Sequence, residues 1–396
     1  MPTARQIRQP GPDRQGDGQA TGRWQEGRGA SRPRAGQATI LRMQSRFGAH
    51  FTRPNLARPR LLVALTLAAV TGCDASDNSE PRRGQTMGTQ YQVQTACASP
   101  PSDLAKGIAV LLDDIDAQMS TYRQDSLLSR LNRAPRGEWL DASTELLDVL
   151  EPARTLSELS GGAFDVTVGP LVNLWGFGPI DAPGSIPSSR EIAAARDRVG
   201  YQHLELRRPA QLRKQRDLYI DLSAIAKGYA VDRMAQYLLD HGCESFLVEI
   251  GGEVRVHGLK PGGAAWRIGV ESPNPDALGG VLRVIQTAQT EGIAMATSGD
   301  YRNFVELGGQ RYSHTIDPRS GVPVAHRLAS VTVLHGSTLW ADGFATLLNV
   351  MGPTEGFDLA EREHLAALFV ERTDTGFVER TTSDFERYVG PETDGH

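Results

Sequence analysis

The sequence Asp-Leu-Ser-Ala-Ile-Ala-Lys-Gly-Tyr-Ala-Val-Asp, residues 221–232, places an acid, a turn and a lysine within seven residues. Tyr219 and the residues after it predict the end of a β-strand, and apolar residues at helical spacing predict a helix over 226–241, closed by Gly242. Lys227 then lies in the first helical turn, where the positive end of the helix dipole does not favour a cation. Either an anion shared with the backbone N–H groups explains this lysine, or the segment is an ordinary strand-to-helix turn with a solvated lysine.

The elements around this segment alternate irregularly between helix and strand. Apolar periodicity and capping residues predict helices, among them one with Ser143 as N-cap and one opened by the capping box Ser188 to Glu191, over 103–119, 144–159, 188–199 and 337–351. Alternating apolar residues predict strands over 87–96, 246–250, 254–257, 266–270, 281–285, 293–297, 331–334 and 366–370. This order favours an α+β fold with mixed or antiparallel sheets flanked by helices.

The N-terminal part has a different composition. Residues 1–42 are rich in Gly, Arg, Gln and Pro without apolar periodicity, which indicates a disordered extension or a stretch that precedes the true start. Residues 43–72 combine basic residues, an apolar run of ten over 61–70 and a small-residue end, a pattern typical of a lipoprotein signal peptide; the alternative is an uncleaved membrane anchor. We expect Cys73 to become the lipidated N-terminus, followed by a polar tether over 73–85.

The expected folded domain, 86–390, belongs to an acidic chain. Residues 1–72 hold 12 of the 42 Lys and Arg but only 3 of the 47 Asp and Glu, so the remainder has 30 against 44 and a formal charge of −14. This charge argues against a nucleic-acid partner. Cys97 and Cys243 lie in no metal-binding spacing, and although they could pair in an exported protein, nothing in the sequence places them close together.

Several further stretches carry more polar residues than a core needs. Asp165 follows a Gly-rich turn beside an apolar stretch, 166–171, predicted as a strand. Asp342 and Thr346 are four positions apart on a predicted helix, so their oxygens share one face and would suit Mg²⁺; the alternative is a satisfied side-chain pair. His314, in a polar stretch, is a structural residue or a general base, because the ordinary pKa of histidine lies near neutrality.

Taken in order, eight stretches resemble the ApbE family of FAD:protein FMN transferases. The resemblance covers nearly all of residues 84–371, and eight motifs in the same order are specific although each one alone is weak. The stretches that carry it are 84–89, 120–122, 162–165, 221–228, 249–253, 296–301, 314–318 and 341–346.

The resemblance implies an ApbE-like, T-fold-like catalytic domain and a set of site residues. Tyr122 stands where the family often has Trp, and either ring can stack on a ligand. The residues implied to contact FAD are Met87, Tyr122, Ala163, Phe164, Asp165, Asp221, Lys227 and Ile316. Those implied to hold Mg²⁺ are Ala224, through its backbone carbonyl, Asp342 and Thr346.

The same resemblance implies the reaction and its setting. We expect Mg²⁺-dependent transfer of FMN from FAD to a Thr or Ser hydroxyl of an acceptor protein, with release of AMP. His314 would activate the hydroxyl, and Asp317 would orient a ligand or stabilise the turn before Pro318. Many members are exported lipoproteins, which implies a lipid anchor on the periplasmic side of the inner membrane and an acceptor flavoprotein subunit of a membrane redox complex. The alternatives are an FAD pyrophosphatase and a non-catalytic FAD-binding periplasmic lipoprotein.

Overall fold

An antiparallel eight-stranded sheet forms the centre of the computed structural model, which describes residues 81–97, 102–179, 185–274, 280–286, 292–300, 304–307 and 310–388. From one edge to the other its strands are β1 (Arg82–Thr86), β2 (Thr89–Thr95), β6 (Phe246–Ile250), β7 (Glu253–His257), β10 (Ile293–Gly299), β15 (Leu328–His335), β16 (Ala366–Thr373) and β17 (Gly376–Thr381). The predicted signal peptide, residues 43–72, and the predicted lipidation site, Cys73, lie outside the described residues.

The helices are distributed along the whole described chain. They are α1 (Leu104–Met119), α2 (Leu127–Arg133), α3 (Thr144–Leu159), α4 (Gly169–Leu174), α5 (Ser189–Arg196), α6 (Ala226–Asp240) and α7 (Thr338–Arg362). Within the described ranges, none of them is long and apolar enough to cross a membrane. The remaining strands form small sheets: β3 (Trp139–Asp141), β4 (Leu204–Arg207) and β5 (Gln211–Lys214); β8 (Arg267–Glu271) and β9 (Val281–Gln286); β11 (Phe304–Leu307) and β12 (Gln310–Ser313); β13 (Ile316–Asp317) and β14 (Val322–Pro323).

The central sheet is buried on both faces. Val248 and Ile250 of β6 pack in one cluster with the buried residues of α1, α6 and α7. Val254 and Val256 of β7 pack in a second cluster with Trp266 and the β8–β9 hairpin. Burial on both faces is seen along β15, where every residue except the last, His335, is buried. The result is the α+β architecture, with antiparallel sheets and flanking helices, that the sequence predicts.

The tether predicted over 73–85 is too long, because β1 begins at Arg82. Met87 and Gly88 both adopt positive φ, 47° and 73°, and so form a tight turn that folds β1 back onto β2. The polar composition of β1 concealed it, since a strand at the edge of a sheet needs no apolar alternation. The fold therefore starts upstream of residue 86.

The predicted strand at 166–171 is also wrong. Val168 makes only an isolated parallel bridge to Tyr219, where the end of a strand was predicted, and α4 begins at Gly169. Pro170 lies in the first turn of α4, where its missing N–H costs no hydrogen bond. A Cβ on Gly169 would lie 2.3 Å from the Tyr219 ring, so glycine permits this close approach.

Helix α7 continues well beyond its predicted end at residue 351. Gly352 adopts a φ of 83° and kinks the helix, and Pro353 has no N–H to offer the Asn349 carbonyl one turn earlier. His326 Nε2 lies 2.8 Å from that carbonyl and takes the place of the missing donor. The Gly-Pro pair therefore bends the helix without ending it, because a side chain from outside satisfies the freed carbonyl.

A disulfide bond joins Cys97 to Cys243, with a Cα–Cα distance of 5.2 Å. The two cysteines meet because β2 pairs with β6 and aligns Thr95 with Phe246, so the chain just after β2 lies beside the chain just before β6. The pairing that the sequence left open is thus present. It ties β2 to the C-terminal end of α6, 146 positions away along the chain.

Candidate active site

Asp232, the last residue of the opening segment, fixes the N-terminus of α7. Its carboxylate accepts hydrogen bonds from the backbone N–H groups of Thr338 (2.9 Å) and Leu339 (3.0 Å) and from the Ser337 hydroxyl (2.7 Å). Arg255 Nη1 lies 2.5 Å from the same carboxylate. The Thr338 and Leu339 N–H groups are free donors at a helix start, and here a side chain from α6 caps them. Helix α6 therefore positions the helix that carries the predicted metal ligands.

Gly228 brings α6 and α7 into direct contact one turn earlier. Its N–H donates to Asp342 Oδ2 over 3.0 Å. A Cβ at this position would lie 2.4 Å from the Thr338 carbonyl oxygen and 2.8 Å from the Asp342 Cβ. Only glycine allows the two backbones to approach this closely.

Replacing Gly228 by alanine should therefore both destabilise the fold and weaken catalysis. The added methyl group forces α7 away from α6, and we expect a loss of about 1–3 kcal/mol in the free energy of unfolding, as for other overpacked sites. Urea titration measures this loss, and a kinetic assay the loss of activity. The matched control is Gly336→Ala, since a Cβ on Gly336 has no atom within 4 Å and φ is not positive there. Equal stability of the Gly228→Ala and Gly336→Ala variants would contradict the close approach.

Lys227, Glu253 and Asp342 form a buried charged cluster at this junction, called here the charge cluster. Lys227 Nζ lies 2.5 Å from Glu253 Oε1 and 4.0 Å from Asp342 Oδ1. Burial raises the pKa of Asp342 to about 7, while Lys227 opposes this shift and Glu253 adds to it. The alternative of a solvated lysine is therefore wrong, because Lys227 is ion-paired and its side chain is 28% exposed.

The other predicted metal ligands flank the charge cluster. Ala224 lies in the turn immediately before α6, and Thr346 lies one turn after Asp342 on α7, partly buried. Nowhere in the described ranges do three or more His, Cys, Asp or Glu gather as a metal site. The predicted set is different in kind: one carboxylate, one hydroxyl and one backbone carbonyl, all hard oxygen donors of the type that Mg²⁺ accepts. Glu253 Oε2, buried without a hydrogen-bond partner in the described structure, is a further sign that positive charge fits here.

A cleft of 770 Å³ opens beside Tyr122, whose side chain is 58% exposed. Tyr219 and Arg133 also line it. The Tyr122 hydroxyl lies 3.3 Å from the Phe177 carbonyl oxygen, and the Phe177 ring meets the His314 ring edge-on, with centroids 6.4 Å apart. One short loop therefore connects the predicted stacking residue to the predicted base.

Comparison with known proteins identifies the family of the chain. The family model described as "ApbE family" matches residues 87–369.

The chain belongs to the ApbE family.

Among curated relatives, FAD:protein FMN transferase of Vibrio cholerae is 43% identical over 332 residues, 83% of this chain and 98% of the relative. The protein of the same name from Haemophilus influenzae is 38% identical over 82% of this chain and 95% of the relative. The apo crystal structure of Pseudomonas stutzeri flavinyl transferase ApbE superposes with a TM-score of 0.72 at 41% identity, over 79% of this chain and 98% of the other. The chain is therefore an enzyme with the α+β fold of the ApbE family, as the resemblance implied.

Two of the acids expected to contact a ligand hold turns together in this ApbE fold. Asp221 Oδ1 accepts from the Ser223 N–H (2.9 Å) and hydroxyl (2.6 Å). Asp165 accepts from the Thr167 N–H and hydroxyl, both 2.7 Å, and from the Tyr201 N–H at 2.9 Å. Burial raises the pKa of Asp165, and the hydrogen bonds from Thr167 oppose that shift. Both carboxylates thus shape the loops, and their contact with FAD stays a prediction.

The remaining residues predicted to contact FAD are mostly buried. Ala163 and Phe164 are 1% and 2% exposed, and Ile316 is 5% exposed in a cluster with Trp175. Met87 lies in the β1–β2 turn and packs partly against the core. Their contact with FAD stays a prediction.

Asp317 stabilises its own turn. Its carboxylate accepts from the Arg319 N–H at 2.9 Å and from Arg319 Nε at 3.1 Å. The sequence left two roles open for Asp317, orienting a ligand or stabilising the turn before Pro318. The contacts of Asp317 in the structure are those of a turn-stabilising residue.

Sequence reasoning assigned no role to Glu253 or Asp232. Both occur in quoted motifs, but the partners of each lie on other elements: Lys227 is 26 positions from Glu253, and Ser337 is 105 positions from Asp232. One signal was available for Glu253. The Gly251-Gly252 pair separates two predicted strands and indicates a hairpin turn with an acid directly after it, and in the structure both glycines take positive φ.

Proposed function

We propose that this ApbE-family enzyme transfers the FMN half of FAD to a Thr or Ser hydroxyl of an acceptor protein, depends on Mg²⁺ and releases AMP. The relatives' shared name supports flavin transfer to a protein. The observation that carries the proposal is the α6–α7 junction, where Lys227 lies beside Asp342 with Ala224 and Thr346 nearby. A cation and hard oxygen donors at one point suit a substrate with a pyrophosphate group.

In the proposed reaction the acceptor oxygen forms a bond to the phosphorus of the FMN half. The bond from that phosphorus to the bridging oxygen breaks, and AMP leaves with this oxygen. The hydroxyl proton passes to His314, whose ring stands at the edge of Phe177. Transfer of this kind depends mainly on alignment and charge neutralisation, which a rigid α6–α7 junction supplies.

Each residue of the junction has a defined part in this proposal. The Ala224 carbonyl, Asp342 and Thr346 would hold Mg²⁺, which when bound neutralises charge on the phosphate oxygens. Lys227 adds a second positive charge close by. Tyr122 would stack on an aromatic ring of FAD in the 770 Å³ cleft. The other FAD contacts are those implied by the resemblance: Met87, Ala163, Phe164, Asp165, Asp221 and Ile316.

His314→Ala should lower kcat by roughly 10²-fold or more, the usual contribution of a general base. The KM for FAD should change little, because His314 acts on the acceptor hydroxyl. The matched control is His364→Ala, since this exposed histidine lies just after the end of α7, where its ring contacts Asp384. Near-normal turnover of His314→Ala would remove His314 from the mechanism.

The location of the enzyme is part of the same proposal: a lipid anchor on Cys73, on the periplasmic side of the inner membrane. The Cys97–Cys243 disulfide supports an oxidising compartment, because such bonds persist outside the cytosol. An acceptor subunit of a membrane redox complex would be reachable there. Labelling with a lipid analogue tests the anchor: label retained by a Cys73→Ala variant would contradict it.

Incubation with FAD, Mg²⁺ and a candidate acceptor tests the proposed function. Flavin fluorescence of the acceptor band after denaturing electrophoresis is the expected result. Free FMN with AMP and no labelled acceptor would instead indicate an FAD pyrophosphatase. FAD that stays intact with several acceptors would contradict both.

A further inference from the structure

Glu253 is a buried, ion-paired acid at the α6–α7 junction that has no assigned part in the proposed reaction. It is the first residue of β7, and only 3% of it is exposed. Oε1 lies 2.5 Å from Lys227 Nζ, whereas Oε2 is buried without a hydrogen-bond partner among the described residues. Burying a carboxylate costs free energy unless its charge is paired and its oxygens are hydrogen-bonded. The unsatisfied Oε2 therefore requires an explanation.

The hairpin itself does not explain this acid. The β6–β7 turn is closed by a bond from the Gly252 N–H to Glu249 Oε1 at 2.9 Å, and the ladder aligns Ile250 with Glu253 through backbone atoms. The Glu253 side chain points away from these contacts toward Lys227. Its role therefore concerns the charge cluster.

Two carboxylates compete for one ammonium group in the charge cluster. Lys227 Nζ is much closer to Glu253 than to Asp342, 2.5 Å against 4.0 Å. Counting Lys227 as +1 and each acid as −1, the cluster has a net charge of −1. Without Glu253 the net charge would be zero, and Lys227 would be left with Asp342 as its acidic neighbour in the cluster. A direct bond between them would occupy the oxygen that the cation needs.

We propose that Glu253 is a positioning residue: it holds Lys227 off Asp342, and its negative charge favours a divalent cation at the charge cluster. This inference rests on the proposed Mg²⁺ site. The unpartnered Oε2 adds negative potential on the same side of the junction. Lys227 can then face the substrate phosphates without neutralising the metal ligand.

The test measures Mg²⁺ binding to the folded protein by calorimetry, without FAD, so it does not depend on turnover. Glu253→Gln keeps the shape and removes the charge, and we expect its Kd for Mg²⁺ to rise at least about 10-fold, because a unit charge a few ångströms away acts strongly at a buried site. The matched control is Glu151→Gln, which removes one charge from an exposed ion pair with Arg208. The control should bind Mg²⁺ like the parent.

A second substitution separates positioning from a merely structural role. The double variant, Glu253→Gln with Lys227→Met, has no ammonium group to compete for Asp342, and the net charge of the cluster is again −1. Its Mg²⁺ affinity should therefore return to within about 3-fold of the parent, because both the charge and the free Asp342 oxygen are restored. Lys227→Met alone should bind Mg²⁺ at least as tightly as the parent. Circular dichroism confirms that each variant is folded.

The outcomes are distinct. Parent-like binding by Glu253→Gln, or weak binding that the double variant does not rescue, would overturn the positioning role. If Glu253→Gln does not fold, Lys227→Met decides alone, and weaker binding than the parent would overturn the inference. A parent protein that binds no Mg²⁺ while transferring FMN would instead refute the metal site and leave the transfer reaction standing.

Discussion

Asp342→Asn should abolish FMN transfer, with kcat/KM falling by at least about 10³-fold, or roughly 4 kcal/mol of transition-state stabilisation. Asp342 is the only charged ligand in the proposed Mg²⁺ set, and it lies at the point where α6 and α7 touch. Asparagine keeps an oxygen that can accept the bond from the Gly228 N–H. The substitution therefore removes the charge and leaves the packing of the junction intact.

Stability provides the control for this variant. Burial raises the pKa of Asp342 to about 7, so the folded protein without a cation gains nothing from the ionised carboxylate. Asp342→Asn should then be as stable as the parent, or more stable, in urea titrations at pH 8 with chelator present. Added Mg²⁺ should stabilise the parent and leave the variant unchanged. Full activity of Asp342→Asn, or of the parent with chelator, would refute the metal assignment.

The largest effect on stability should come from breaking the disulfide bond. Replacing Cys97 and Cys243 by alanine frees a loop of 146 positions, and the chain-entropy relation sets the loss near 5 kcal/mol, with about 2–5 kcal/mol typical of measured cases. The free energy of unfolding from urea titration measures the loss. Catalysis at 25 °C should survive, because Cys243 follows the C-terminal end of α6, which lies about 20 Å along the helix from Lys227.

Two comparisons make the disulfide prediction specific. Each single variant, Cys97→Ala or Cys243→Ala, should lose almost as much stability as the double variant, because either one breaks the same bond. A reducing agent should lower the Tm of the parent and leave the double variant unaffected. A parent protein whose Tm is unchanged by reduction would contradict the bond.

Helices could be predicted from the sequence because their signals are local. Ser143 does cap α3, accepting a bond from the Leu146 N–H at 3.1 Å, and Ser188 with Glu191 does form a capping box. The predicted helix at 144–159 has the bounds of α3, and that at 226–241 extends one residue beyond α6. Caps and apolar periodicity act within one or two turns, so one sequence contains them completely.

Contacts between distant elements could not be predicted in the same way. The pairing of Cys97 with Cys243 follows from the alignment of β2 with β6, and β1 follows from a turn in which Met87, a non-glycine residue, takes positive φ. Neither leaves a periodic signal in the sequence. The kinked continuation of α7 likewise depends on His326, which lies outside the helix.

The sequence motifs named residues of the candidate site, but they could not predict which of these residues contact one another. Lys227, Asp342 and Thr346 were identified through motifs, and the structure brings Lys227 and Asp342 to 4.0 Å. The partner that pairs most closely with Lys227, Glu253, was missed because side-chain pairing across a hairpin and a helix is set by tertiary packing. Asp165 and Asp221 were predicted to contact FAD. In the structure, the carboxylate of each accepts a hydrogen bond from a backbone N–H group of its own turn.

The most direct test of the central claim is the stoichiometry of products in a single turnover. The enzyme is mixed, in excess over FAD, with Mg²⁺ and an acceptor protein. The reaction is quenched at successive times, and AMP and acceptor-bound FMN are quantified in each sample. The proposed transfer predicts one AMP for each FMN bound to a Thr or Ser of the acceptor, both forming at the same rate, and neither with Asp342→Asn. AMP that forms with FMN free in solution, at the same rate with or without the acceptor, would contradict it.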